Sequence, residues 1–337
     1  MKRRRYSFSL FMRIGATGLL MALLCANSQA DTSPWQTTGT AQAYWQNYSV
    51  SDSRDNAFNA GYYAMADYLD SYSIGAAYNF THVNFSGGAD ITEHLFYLSG
   101  RQIIFSDILP GKLILRLDAY FGRHTLAYHG STTRIVGGGM GGGGGGMSGG
   151  TTTTTTSLPD ETTNITSWQP IVSFINFSKT LYLDLGYAHS NYDNNPDLTV
   201  NQFTPSLGFG WNESYDWLQL RAYVISLDQT TTAFNDDRFS SLELQYSHWF
   251  RDASLPRLEL FRLTLLGGDR VLAIDPDAGT IYSTADRQRG SLAASMQWAL
   301  KPTLKFLGLV SYSRYHNDIA INDYNSLLFY INLQHQW

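Results

Sequence analysis

Seven charged side chains stand within runs of mostly apolar or small residues: Asp67, Arg116, Asp118, Asp184, Arg221, Glu243 and Arg262. Arg116 and Asp118, two apart, share a face wherever the chain is extended. Charges of both signs in such places either line a wet passage and set its selectivity, or pair with one another and stiffen an interior. Nucleophilic chemistry has one local candidate, His189-Ser190-Asn191. Neighbours on a strand point to opposite sides of the sheet, so His189 cannot take a proton from Ser190 and no nucleophile pair forms there. The eight histidines are scattered without metal-ligand spacing. Acidic clusters at Asp193–Asp197, Asp236-Asp237 and Asp275–Asp277 lack calcium-loop spacing and read as solvated loop charge, with contact to divalent ions as the sharper alternative. The run Gly137–Thr156, glycines broken by Met140 and Met147 and then six threonines, has no lysine and no phosphate-loop pattern. It cannot bury enough apolar surface to fold alone, so it is a long external loop or a loop that folds back inside and gates the interior. No catalytic residue, metal or cofactor is assigned, and enzyme activity is not expected.

The elements that would position these groups begin after a processing segment. Lys2, Arg3, Arg4 and Arg5 precede an apolar run from Ile14 to Ala26, and Ser28-Gln29-Ala30 offers small residues where a signal peptidase reads. Residues 1–30 are therefore expected to be a cleaved signal peptide. Their removal takes five basic residues and no acidic ones, leaving 18 basic and 28 acidic residues, a net charge of −10. That balance argues against nucleic acid as a partner. Cys25 is the only cysteine and lies in the signal, so the mature chain has no disulfide.

Charged residues make up 15% of the chain, well below the usual quarter of a soluble domain, while aromatics reach 14% with 22 Tyr. No apolar run after Ala30 is long enough for a spanning helix. The pattern instead has period two. Tyr72, Ile74, Ala76, Tyr78 and Phe80 oppose Ser73, Gly75, Ala77 and Asn79; Leu113, Leu115, Leu117, Ala119 and Phe121 oppose Arg116, Asp118 and Tyr120. Fourteen strands are expected (12 to 16 being the range), starting near Ala41, Gly61, Tyr72, Thr92, Leu113, Trp168, Leu181, Val200, Trp217, Phe239, Leu258, Gly290, Leu304 and Ser326. The links alternate, short (Asp70-Ser71, Ser178–Thr180, Lys301-Pro302) and long (Thr125–Ser167, Asp228–Arg238, Gly267–Arg289). A β-sandwich has no reason to keep that order, whereas a membrane barrel has short periplasmic turns and long external loops. In hydrocarbon, unpaired backbone groups have no water, so such a sheet must close.

The last strand carries Phe329, Ile331, Leu333, His335 and Trp337 on one face. That terminal alternation, with Phe329, Ile331, Leu333 and Trp337 as the signal residues, resembles what outer-membrane proteins present to the barrel assembly machinery. The whole mature chain resembles a Gram-negative outer-membrane β-barrel of porin-like type, all-β and antiparallel. His189-Ser190-Asn191 departs from the His-x-Ser-Asn pattern of outer-membrane lipid-A deacylases and phospholipases, which keeps histidine and serine two apart. The expected organisation is a signal at 1–30, a short periplasmic segment at 31–40, and a barrel over 41–337 with a low-complexity external loop at 125–167. The resemblance implies residence in the outer membrane among lipid and lipopolysaccharide, and handling of small solutes. Two functions are carried forward: a passive channel for small hydrophilic solutes, and a non-channel surface barrel that binds a partner or assists assembly or export of surface material.

Overall fold

A computed structural model describes residues 34–337 apart from short stretches of the connections, the longest being 137–151. The expected signal peptide at 1–30, and the glycine run of the Gly/Thr loop, lie outside the described residues. Five strands open the chain: β1 (Trp35–Ser49), β2 (Arg54–Tyr68), β3 (Tyr72–Phe85), β4 (Ala89–Ser106) and β5 (Gly111–Tyr128). After a hairpin of β6 (Ser131–Val136) and β7 (Thr152–Ser157) come β8 (Glu161–Asn176), β9 (Leu181–Tyr192), β10 (Leu198–Trp211), β11 (Asp216–Leu227), β12 (Arg238–Trp249) and β13 (Arg257–Arg270). A second small hairpin, β14 (Ile274–Asp275) and β15 (Thr280–Ile281), precedes β16 (Arg287–Lys301), β17 (Leu304–Asn317) and β18 (Asn322–Gln336). Apart from the two hairpins, the strands pair antiparallel in chain order, and β18 returns to β1, closing a barrel of fourteen. Closure extends past the strand ends: Thr37 and Trp337 exchange main-chain hydrogen bonds at 3.1 and 3.2 Å.

The alternation read from sequence is realised with its apolar side outward. Ile74 is 61% exposed and Tyr78 46%, while their neighbours Ser73, Ala77 and Asn79 are buried. Leu115, Leu117 and Phe121 on β5 face out, as do Leu183, Leu185 and Tyr187 on β9 and Leu292 and Met296 on β16. In water this inversion would be unstable; facing lipid tails it is the expected arrangement. Aromatic rings gather at both rims. At the short-turn end Trp35 packs on Tyr68 at 5.0 Å, Trp211 stacks on Tyr246 at 6.2 Å, and Trp298 meets Phe306 at 5.8 Å. Toward the other rim Trp168 contacts Tyr187 and His189, at 5.8 and 5.7 Å. These rings suit the interface, where one end of a side chain is dry and the other wet. The short-turn end is the periplasmic end by the rule that long loops face outward.

Two boundaries differ from the sequence expectation. Residues 35–40, expected in a periplasmic segment, belong to β1: Thr38 pairs with Gln336 on one side and Met65 on the other. Gln36-Thr37-Thr38-Gly39-Thr40 has no apolar alternation, so its strand state is set by two ready neighbours and not by its own pattern. The strands flanking the Gly/Thr loop also run farther out, β5 to Tyr128 and β8 from Glu161, which shortens the loop expected at 125–167 and leaves β6 and β7 as a hairpin within it.

Candidate functional site

The segment between β13 and β16 enters the barrel. Val271, Leu272, Ala273, Ile274 and Ile281 are all 5% exposed or less, packed with Tyr120, Tyr192, Tyr223 and Ile225 from the inner faces of β5, β9 and β11. Phe234 and Phe239 complete the cluster, their rings 5.6 Å apart. The side-chain amide of Gln202 on β10 holds the main chain of Ile274 twice, accepting its N–H at 3.0 Å and donating to its C=O at 2.8 Å. The inserted segment therefore covers the inner wall of β8–β12. Asp275–Asp277, read from sequence as external loop charge, points into the interior instead. An apolar run, Val271 to Ile274, carries the acids inward because it finds a tyrosine-lined wall to bury against. This segment inserts into the lumen; the glycine run of the Gly/Thr loop, considered above for insertion, lies outside the described residues.

All seven charged residues singled out in the sequence lie on the inner face, and most are paired. Arg116 makes a two-pronged contact with Asp118, Nε to Oδ1 at 2.9 Å and Nη2 to Oδ2 at 2.5 Å, and also donates to Pro276 O at 2.6 Å. Asp118 is fully buried and accepts the Tyr97 hydroxyl at 3.1 Å. Arg221, 4% exposed, meets Asp277 at 2.9 Å and Glu243 at 3.7 Å, with Ser206 on its Nε. Asp67 pairs with Arg101 at 2.8 Å, and Ser73 bridges them. Asp184 accepts hydrogen bonds from Tyr182 and Ser173. Arg262 has one hydrogen-bond partner among the described residues, Ser247 Oγ at 3.3 Å. Thus Asp118 and Arg221 sit beneath the inserted segment and do not border open space, whereas Arg116, Glu243 and Arg262 do. Asp277 lies deep within the barrel with a side chain half accessible to the lumen. Burial pushes its carboxyl pKa up, but Arg221, aided by Arg116 and Arg262, outweighs that and holds it below the ordinary carboxylate range.

The other half of the interior is open. A cavity of about 930 Å³ runs along β1–β4 and β16–β18, from Thr40 to Tyr48 on β1 and from Asn332 to Tyr324 on β18. Near the outer end Arg54 forms an ion pair with Asp286, flanked by Tyr315 stacked on Tyr324 at 5.2 Å. Gln42 reaches over β2 to Asn79, Nε2 to Oδ1 at 2.7 Å, and accepts the Tyr330 hydroxyl at 2.9 Å. Gly61 stands between Gln42 and Asn79 in register, and a Cβ there would lie 1.9 Å from Asn79 Oδ1, so the missing side chain makes room for the bond.

Sequence reasoning missed Arg101, Tyr97, Gln202 and the Arg54–Asp286 pair. The apolar run at 271–274 inside a long polar link was the available signal for the inserted segment. Ser190 is buried and bonds Ser167 at 2.9 Å, while His189 turns to the opposite face and bonds Asn201 at 2.9 Å. Among the described residues no group of three His, Cys, Asp or Glu could hold a metal ion. Phe329 and Ile331 face outward, half exposed, and the Trp337 ring stacks on His335 at 5.4 Å.

No family model and no curated protein matches the chain. Solved structures do. The toluene transporter TbuX of Ralstonia pickettii superposes with a TM-score of 0.51 at 9% identity, over 91% of this chain and 90% of that one. A deltaS2S3 mutant of the monoaromatic hydrocarbon channel TodX gives 0.51 at 9% identity, over 90% and 91%. At these identities the likeness is one of fold. The closed sheet, its apolar outer band and these neighbours agree: the chain is an integral outer-membrane β-barrel protein.

Proposed function

We propose that the protein is a channel through which small hydrophilic solutes diffuse passively, along the wall formed by β16–β18 and β1–β4. The observation that carries this reading is the polar-lined cavity. Its span from Thr40 to Tyr48 is eight residue steps, roughly 27 Å along the strand and about 20 Å along the axis at the usual tilt. Its volume of about 930 Å³ is room for roughly thirty waters. Gln42, Asn59, Ser73, Thr81 and Ser313 supply hydrogen bonds that replace those of a solute's water shell. Charges at the inserted segment narrow the path and bias it, as charged side chains do in pores.

The test is conductance of the purified protein in planar bilayers. Stable unit openings that scale with salt concentration are the expected result. Silence at all voltages from a correctly folded barrel would refute the channel and favour the second reading. That reading, a closed surface barrel acting on partners or surface material, is supported by the inserted segment, which covers half of the inner wall.

A further inference from the structure

The charges of the interior are unevenly distributed. Arg116, Asp118, Arg221, Glu243, Arg262 and Asp277 gather on β5, β11–β13 and the inserted segment. Of the facing wall, β16–β18 and β1–β3 have none over their middle; Glu93 on β4, beyond them, lines the cavity beside His124. Between Arg54–Asp286 at the outer end and Asp67–Arg101 at the inner end, the cavity residues of β16–β18 and β1–β3 are uncharged. They are of three kinds: tyrosines (Tyr44, Tyr63, Tyr330), amides and hydroxyls, and small or aliphatic residues. Tyr44 and Tyr330 are direct partners across β1 and β18. Gln42 lies beside them, its amide tied to Tyr330 and Asn79. Asn332 adds a further amide, donating to the Tyr330 hydroxyl at 3.2 Å.

This lining selects by elimination. An ion leaving water along this wall finds no counter-charge, which is costly. A hydrocarbon leaves the wall's amides and hydroxyls without the partners that water gave them, which is also costly. A neutral ring bearing many hydroxyls satisfies both requirements. Its C–H faces lie against tyrosine rings, and its hydroxyls exchange donors and acceptors with Gln and Asn side chains, which offer both.

We propose that this wall is a binding track for carbohydrate, centred on Tyr44, Gln42 and Tyr330. The proposal rests on the channel reading for the access of solute to the track, but binding is measurable without passage. Maltotriose is the probe, and gluconate, which carries hydroxyls and one negative charge, is the comparison. In bilayers, maltotriose at millimolar concentration is expected to reduce the open current in a saturable way, with gluconate much weaker. Tyr44→Ala and Gln42→Ala are expected to raise the half-blocking concentration about tenfold, equivalent to about 1.4 kcal/mol. Tyr330→Phe, which removes only a hydroxyl, guards against misfolding of the larger truncations and is expected to raise it severalfold. Arg262→Gln, on the charged side, leaves block by maltotriose unchanged.

Openings insensitive to maltotriose, or block by maltotriose that disappears in Arg262→Gln, overturn the proposal while the channel stands. In detergent, equilibrium dialysis against labelled maltotriose reads the track directly. Saturable binding weakened by Tyr44→Ala supports it even if no current is seen, and absence of binding overturns it.

Discussion

Gln202 offers the sharpest perturbation of the interior. Its amide is the only side chain among the described residues that holds both main-chain groups of Ile274, at 3.0 and 2.8 Å, and both lie in a buried cluster. Truncation by Gln202→Ala leaves two buried main-chain groups without partners, at about 1–3 kcal/mol each. Water entering the vacated space recovers part of this, so the low end, about 2 kcal/mol in total, is the fair figure. That shifts the ratio of docked to released segment roughly thirtyfold. Leu272, Ile274 and Ile281 still favour docking, by about 1.5–3 kcal/mol each when fully buried, so the released state stays a minority but becomes visible. Single-channel recordings should then show a larger conductance level, with dwell fraction up roughly thirtyfold over wild type. Identical level distributions in wild type and Gln202→Ala, with both barrels folded by their heat-dependent gel shift, would show that this side chain does not hold the segment.

Other outcomes follow from the same geometry. Because the Asp277 carboxyl is held below the ordinary range when docked, its contribution to docking is present above that range and is lost as pH falls through the shifted value. Acid conductance should therefore include the larger level, and Asp277→Asn should abolish that pH dependence in recordings across neutral to strongly acid buffers. Arg262→Gln removes a lumen cation whose one hydrogen-bond partner among the described residues is a serine, so the reversal potential in a salt gradient should move toward cation selectivity. An unmoved potential places Arg262 away from the narrowest point. Gly61→Ala puts a methyl group against Asn79 and breaks its bond to Gln42, lowering stability by about 1–2 kcal/mol in urea unfolding from lipid. Gly100→Ala, with nothing within 4 Å of the new carbon, should be silent or mildly stabilising. If the terminal residues act as the assembly signal, Trp337→Ala should lower the yield of folded barrel in outer-membrane fractions more than Leu333→Val does.

How much of this was legible in the sequence depends on the source of each feature. Strand number and facing were, because period-two alternation is a property of each strand alone. Leu113 to Phe121 and Leu181 to Tyr187 read the same way in the chain and in space. Arg116 and Asp118 were legible as a pair because two residues apart on a strand means one face. Asp67 with Arg101 was not, since their meeting depends on β2, β3 and β4 lying side by side with Ser73 between them. The strand state of residues 35–40 was hidden for the same reason: it comes from neighbours on both sides. The inserted segment was the largest miss. Its own residues are ordinary for a loop except for Val271 to Ile274, and only the tyrosines of the wall reveal where that run goes.

The hydrogen bonds between Thr37 and Trp337 join positions three hundred residues apart. Each neighbouring hairpin forms across a few residues, but this seam costs roughly 5 kcal/mol in loop-closure entropy, the growth being logarithmic in length. Until that seam forms, two strands present open edges to anything nearby. A barrel sealed in this way is exposed to mispairing for as long as the seam stands open, and contacts of such long range form more slowly than hairpins do.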